Sequence, residues 1–204
     1  MTYSPWDILL IGGASGVGKS RLADRLAGER GAFVVEFDDV VEAVRAITTA
    51  EQHPGLHHFD GAGDAELSAG RVLELQIATA RALEPAVLGI VRNRLTVDVP
   101  AVVEGDYLTP AAAARAVREG SVAGRHVRAV FVHEGDAGRI TANYASREPG
   151  SGVQTERAEV SAAYSHWLAR EAARHALPVV ESRPWDTLAS RVGEALAPVL
   201  ADRP

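Results

Sequence analysis

The chain has 204 residues, 47% of them hydrophobic, and a formal net charge of −6, enough apolar material for one α/β domain over residues 1–204. It has no cysteine, which excludes disulfides and thiolate metal sites and suits a reducing compartment. The acidic balance argues against a nucleic-acid partner, and no apolar run approaches the ~18 residues of a membrane span, so the expectation is a cytoplasmic protein.

Taken in order, Ile8-Leu9-Leu10-Ile11 reads as a buried strand. The eight residues Gly13, Ala14, Ser15, Gly16, Val17, Gly18, Lys19 and Ser20 fit G-x-x-x-x-G-K-[ST]. Leu22 and Leu26, with Ala23 and Ala27, mark a helix ending near Gly28 or Gly31. Strand, glycine loop and helix stand in the order that a phosphate cradle needs. Glycines let the loop aim several N–H groups at one point, and the helix start adds partial positive charge. Lys19, the only lysine, reaches β- and γ-phosphate oxygens in such a loop, and the Ser20 hydroxyl ligates Mg²⁺.

Ala32 to Phe37 reads as a second strand, closed by Asp38 and Asp39, with Val40, Val41, Val44 and Ile47 following at helical spacing. A carboxylate at a strand's C-terminal end faces the ligand crevice of an open parallel sheet, which makes Asp38 the candidate base and leaves Asp39 to cap the helix. Residues 48–63 are polar and glycine-bearing, in the manner of a functional loop. Pro54 and Gly55 break any helical pairing of His53 with His57 or His58, so substrate contact or a solvated loop is preferred there to a metal site. The acceptor-binding segment is placed at about residues 48–70, with His53 and Asp60 as contacts. Ala65 to Val97 is helical, and Pro85 either kinks it or begins a second helix; Gln76 is its candidate substrate contact.

Residues 100–104 form a third strand ending in Glu104, and Asp106 and Tyr107 follow it toward the acceptor cleft. Glu104 stands where a second acid approaches Mg²⁺, and Thr109-Pro110 opens the next helix. A fourth strand, residues 127–132, precedes a helix carrying Arg139, Asn143 and Arg147 on one face. That cationic face suits a lid over a triphosphate, at about residues 135–153, hinged at Glu148 to Gly152. Thr155 caps a long helix to about Ala176, residues 177–180 are a fifth strand, and Leu188 to Val199 is the last helix. Arg183, Pro184 and Trp185 lie where a nucleotide base could stack, although Trp185 serves equally well as an anchor for that helix.

Strands alternating with helices behind a phosphate loop make a doubly wound parallel sheet. The chain resembles the small P-loop kinases: shikimate and gluconate kinases, and especially chloramphenicol phosphotransferase-like and 2-phosphoglycerate kinase-like proteins. The residues that carry the resemblance are Gly13 to Ser20, Phe37-Asp38-Asp39-Val40 with Glu42-Ala43, Val103-Glu104-Gly105, Arg139 to Arg147, and Pro178-Val179-Val180 with Ser182 to Trp185. The resemblance implies a P-loop NTPase fold, an α/β sheet of five parallel strands in the order 2-3-1-4-5 with helices on both faces and a small lid. It also implies Mg-ATP as donor, and a base at the position of Asp38. The chain departs from the pattern in lacking an apolar run ending in Asp; Glu104 stands there instead.

The reading is an ATP-dependent phosphotransferase that moves a γ-phosphate to a hydroxyl of a small molecule. Acids on the acceptor side (Asp60, Asp64, Glu104, Asp106) favour an antibiotic or other secondary metabolite, particularly a cationic one. A sugar acid, nucleoside or sugar nucleotide is the alternative. A nucleotide-dependent regulatory ATPase switch is a third; an N-K-x-D motif for guanine is absent.

Overall fold

The computed structural model describes residues 6–60 and 67–197. Strand β1 (Ile8–Gly13) runs through the loop into helix α1 (Lys19–Arg30), which stops at Gly31 in the left-handed conformation. β2 (Phe33–Glu36) passes without a loop into α2 (Phe37–Ala46), and a short 3₁₀ turn follows at Pro54–Leu56. Next come α3 (Ala69–Ala82), α4 (Glu84–Leu95), β3 (Ala101–Gly105), α5 (Pro110–Val122) and β4 (Val127–His133). The chain continues through α6 (Ala137–Arg147), α7 (Thr155–Arg174), β5 (Val179–Glu181) and α8 (Leu188–Ala195).

The five strands are parallel, in the order β2-β3-β1-β4-β5, with helices on both faces. β1 is buried along its whole length between β3 and β4, which is why its sequence is a continuous apolar run. Register then decides what meets at the carboxyl edge. Ile11 pairs with Glu104, Gly12 with Gly105 and Glu36 with Glu104, so β1, β3 and β2 end level with one another. The phosphate loop, the residues after β3 and the start of α2 therefore share one crevice. A second small core, Ile140, Tyr144, Ala158 and Ala162, joins α6 to α7 apart from the main core. Among the described residues no helix is long and apolar enough to cross a membrane.

Several boundaries differ from the sequence reading. Asp38 and Asp39 both lie in the first turn of α2, because buried Phe37 already begins the helix; acids there complement its dipole. At Pro85 the second of the two expected outcomes holds: a new helix begins, with the proline in the first turn of α4. Thr155 is the first helical residue of α7, and Gln154 occupies the cap position. The predicted starts at Ala65 and end at Val199, together with Asp64, fall outside the described residues.

Candidate active site

Three glycines shape the phosphate loop, and Gly18 shows why one is required: its φ is 93°, and a Cβ there would lie 1.8 Å from the Trp185 ring. Ala14 and Val17 point inward and anchor the loop to the core. Lys19 opens α1 with only 5% of its surface exposed. Its ammonium donates to the Ala14 carbonyl at 3.0 Å and to Asp106 Oδ1 at 2.5 Å. Burial alone would lower the Lys19 pKa, but the carboxylates of Asp106, Glu104 and Asp38 outweigh it and the pKa is raised.

The acids converge on that ammonium from β3 and α2. Ser20 Oγ donates to Glu104 Oε1 at 2.8 Å, and burial raises the Glu104 pKa despite Lys19 and Ser20. The Asp106 backbone N–H donates to Asp38 Oδ1 at 3.2 Å, while its carbonyl accepts from the Tyr164 hydroxyl at 3.1 Å. Gly105 permits this approach, since a Cβ there would meet Phe37 Cβ at 2.8 Å. Asp38 keeps contact with solvent, yet desolvation, followed by the charge of Asp106, pushes its pKa to about 7. Burial pushes the Tyr107 hydroxyl to about 12, so it remains a neutral donor.

These donors fit a magnesium ion carried by phosphates. Ser20 and Glu104 are hard oxygen donors side by side, and Glu104 is buried with more acid than base around it. Among the described residues no three His, Asp or Glu side chains are grouped to hold a metal by themselves. Mg²⁺ needs no such cage, because it keeps water and takes substrate phosphates.

On the other side of the loop, Trp185 rests on Gly18 and carries the Arg183 guanidinium 4.8 Å above its ring. Arg183 donates to Asn143 Oδ1 at 2.9 Å, and Asn143 Nδ2 donates to the Gly16 carbonyl at 2.8 Å. One polar chain thus links the β5–α8 loop, α6 and the phosphate loop. Two hollows flank it. A cavity of about 330 Å³ is lined by Lys19, Ser20, Asn143 and Arg147, among others, and an open groove of about 700 Å³ by Arg139 and residues 183–186, Pro184 among them. Arg147 is half-exposed and bonded to Glu148, whereas Arg139 lies 3.7 Å from both Glu134 and Asp136.

A larger cavity of about 770 Å³ opens on the opposite side. Ser15, Asp106, Tyr107 and Gln76 line it, with Phe59, Leu67, Val72 and Val160 as an apolar wall. Glu156, Arg157 and Glu159 of α7 complete it. Glu156 and Glu159 are not among the site residues expected from the sequence; their three-residue spacing, which puts both on one helix face, was the available signal. His53 is exposed and lines none of these hollows. Asp60 bonds to Arg45 at 2.5 Å and to His57, whose other ring nitrogen meets Thr48 Oγ1 at 3.1 Å. It ties the loop after α2 back onto that helix.

Among solved structures, a gluconokinase from Sinorhizobium meliloti 1021 matches at 16% identity and a TM-score of 0.57, over 96% of this chain and 93% of its own. A shikimate kinase from Acinetobacter baumannii in complex with shikimate matches at 10% identity and 0.53, over 93% and 89%. A shikimate kinase from Bacteroides thetaiotaomicron matches at 13% identity and 0.52, over 93% and 97%. Likeness at these identities establishes the fold. No curated protein sequence matches the chain. The family model described as an AAA domain matches residues 8–165, a span that holds β1, the phosphate loop and the acids after β3, and the chain belongs to that AAA domain family.

Proposed function

We propose that this protein is an ATP-dependent phosphotransferase that moves the γ-phosphate to a hydroxyl of a small molecule. The observation that carries the reading is the position of Asp106. It pairs with Lys19 inside the phosphate loop and also lines the large cavity, so donor socket and acceptor cavity meet at one carboxylate. The fold shared with gluconokinase and shikimate kinases supports it.

In this reading the loop amides and Lys19 hold the phosphates, and the ammonium exchanges part of its Asp106 contact for phosphate oxygen. Ser20 and Glu104 would hold Mg²⁺, which would supply neutralisation of phosphate charge. Asp38, with a pKa near neutrality, accepts the proton of the attacking hydroxyl. Arg139 and Arg147, on a lid at residues 135–153, offset charge on the transferring group, and Arg183, Pro184 and Trp185 form the shelf for the base. Asn143 fixes that shelf to the loop. From the acceptor-binding segment, Phe59 and Leu67 to Ala69 supply part of the acceptor side, together with Gln76 and Tyr107.

The charge of the cavity favours a cation-bearing acceptor, such as an amino-group antibiotic or other secondary metabolite, over a sugar acid. Glu156 and Glu159 face it, beside an Asp106 already paired with Lys19. Among the described residues the cavity's one lining guanidinium, Arg157, is occupied by Glu148 at 2.9 Å and Gln154 at 2.7 Å. A carboxylate entering would find no unengaged arginine among the lining residues.

The test is ADP release from Mg-ATP with glucosamine, glucose and glucuronate, one ring carrying an ammonium, no charge or a carboxylate. Acceptor-stimulated release, lost in Lys19→Ala, is expected. Slow release that no hydroxyl compound stimulates favours the regulatory ATPase. Undiminished transfer by Lys19→Ala refutes the assigned site.

A further inference from the structure

Glu134 follows β4 and has no part in the chemistry described above. It is 3% exposed, a depth at which a carboxylate persists only with partners. Its two oxygens serve two distant segments. Oε1 accepts from the Asp136 backbone N–H at 3.1 Å, in the turn that starts α6, and lies 3.7 Å from Arg139 Nη1. Oε2 accepts from Ser182 Oγ at 2.9 Å. Ser182, itself 1% exposed, immediately precedes Arg183, Pro184 and Trp185. The Glu134 backbone N–H also donates to Ser165 Oγ of α7 at 3.0 Å, which fixes the residue against a third element.

Resting on the nucleotide reading above, we propose that Glu134 is a positioning residue that clamps the base shelf and the start of the lid helix to one point. Arg139 and residues 183–186 line the same groove, yet they come from different connections of the sheet. The Glu134 side chain bonds to both connections where they leave the sheet, as Asn143 does farther along α6 through Arg183. Capping of α6 is the simpler role, but Asp136 already does that by accepting from the Arg139 backbone N–H. A cap also leaves the Ser182 bond unexplained. A carboxylate suits the task because it accepts through both oxygens and carries the charge that Arg139 faces.

Binding of a non-hydrolysable ATP analogue with Mg²⁺, and of inorganic pyrophosphate, is measured by calorimetry on wild type, Ser182→Ala, Glu134→Gln and the double variant. Ser182→Ala is expected to weaken the analogue about tenfold while leaving pyrophosphate, which uses the phosphate loop alone, unchanged. Glu134→Gln is expected to weaken the analogue at least as much, and the double variant no further, because both changes break one clamp. Additive losses, an unchanged analogue, or parallel loss of pyrophosphate in Ser182→Ala overturns the assignment; Ser182→Ala decides the matter even if Glu134→Gln fails to fold. Wild type that takes up neither ligand refutes the nucleotide reading itself, a different failure.

Discussion

Gly18→Ala puts a methyl group into the tightest contact of the site. The added carbon would stand 1.8 and 2.2 Å from two Trp185 ring atoms, where ordinary contact is 3.4–4 Å. The ring cannot slide away freely, because Arg183 is stacked on it and bonded through Asn143 to Gly16. Backbone strain adds to the clash, since φ is 93°; a left-handed non-glycine residue costs roughly 1–2 kcal/mol. Overpacking contributes about 1–3 kcal/mol more. The sum, about 2–5 kcal/mol, corresponds to a fall in Tm of about 4–20 °C for a domain of this size. Thermal unfolding of Gly18→Ala in wild-type and Trp185→Ala backgrounds separates the two terms. With the indole gone, only the strain of about 1–2 kcal/mol should remain. Equal cost in both backgrounds would refute the placement of Trp185 on the loop, and with it the base shelf.

Asp38→Asn should lower turnover by about 10²–10⁴-fold while Mg-ATP still binds; normal transfer would move the base to Glu104 or Asp106. The same variant tests the pH linkage. The Asp38 pKa rises from 3.8 to about 7 on folding, so the folded state holds this proton more tightly and stability falls as pH rises through that window. Denaturant unfolding at pH 5 and pH 8 should show the gain of Asp38→Asn over wild type growing from the lower pH to the higher, part of it being present at pH 5 because the unfolded carboxyl ionises near 3.8. Glu104→Gln should raise the Mg²⁺ concentration needed for half-maximal rate by about 10–100-fold, and chelation should halt transfer in wild type; a rate that is indifferent to both sinks the assigned magnesium site. Glu156→Gln with Glu159→Gln should remove any preference for glucosamine over glucuronate, and a preserved preference would place charge selection elsewhere.

Local physics made part of this protein legible without coordinates. The apolar run before Gly13, the loop glycines and the helical spacing after Ser20 specify strand, loop and helix through backbone freedom and burial, and the structure builds β1, the loop and α1 in that order. Thr109-Pro110 marked the start of α5 for the same reason, because a cap is a matter of a few adjacent residues. Asp38 was singled out as an acid, but its position in the helix rather than at the strand end depended on burial of Phe37 against Gly105, a contact across the sheet.

What only the tertiary structure decided is which distant residues share a space. Strand order reached the sequence reading through family resemblance, whereas the level ends of β1, β2 and β3 arise from register. That register brings Asp106 to Lys19 across eighty-seven residues, and Glu134 meets Ser182 across forty-eight. Glu156 and Glu159 line the large cavity because α7 packs beside α3. Periodicity reports which face of an element is buried, but it carries no address for the partner; that is set by the joint packing of the whole chain.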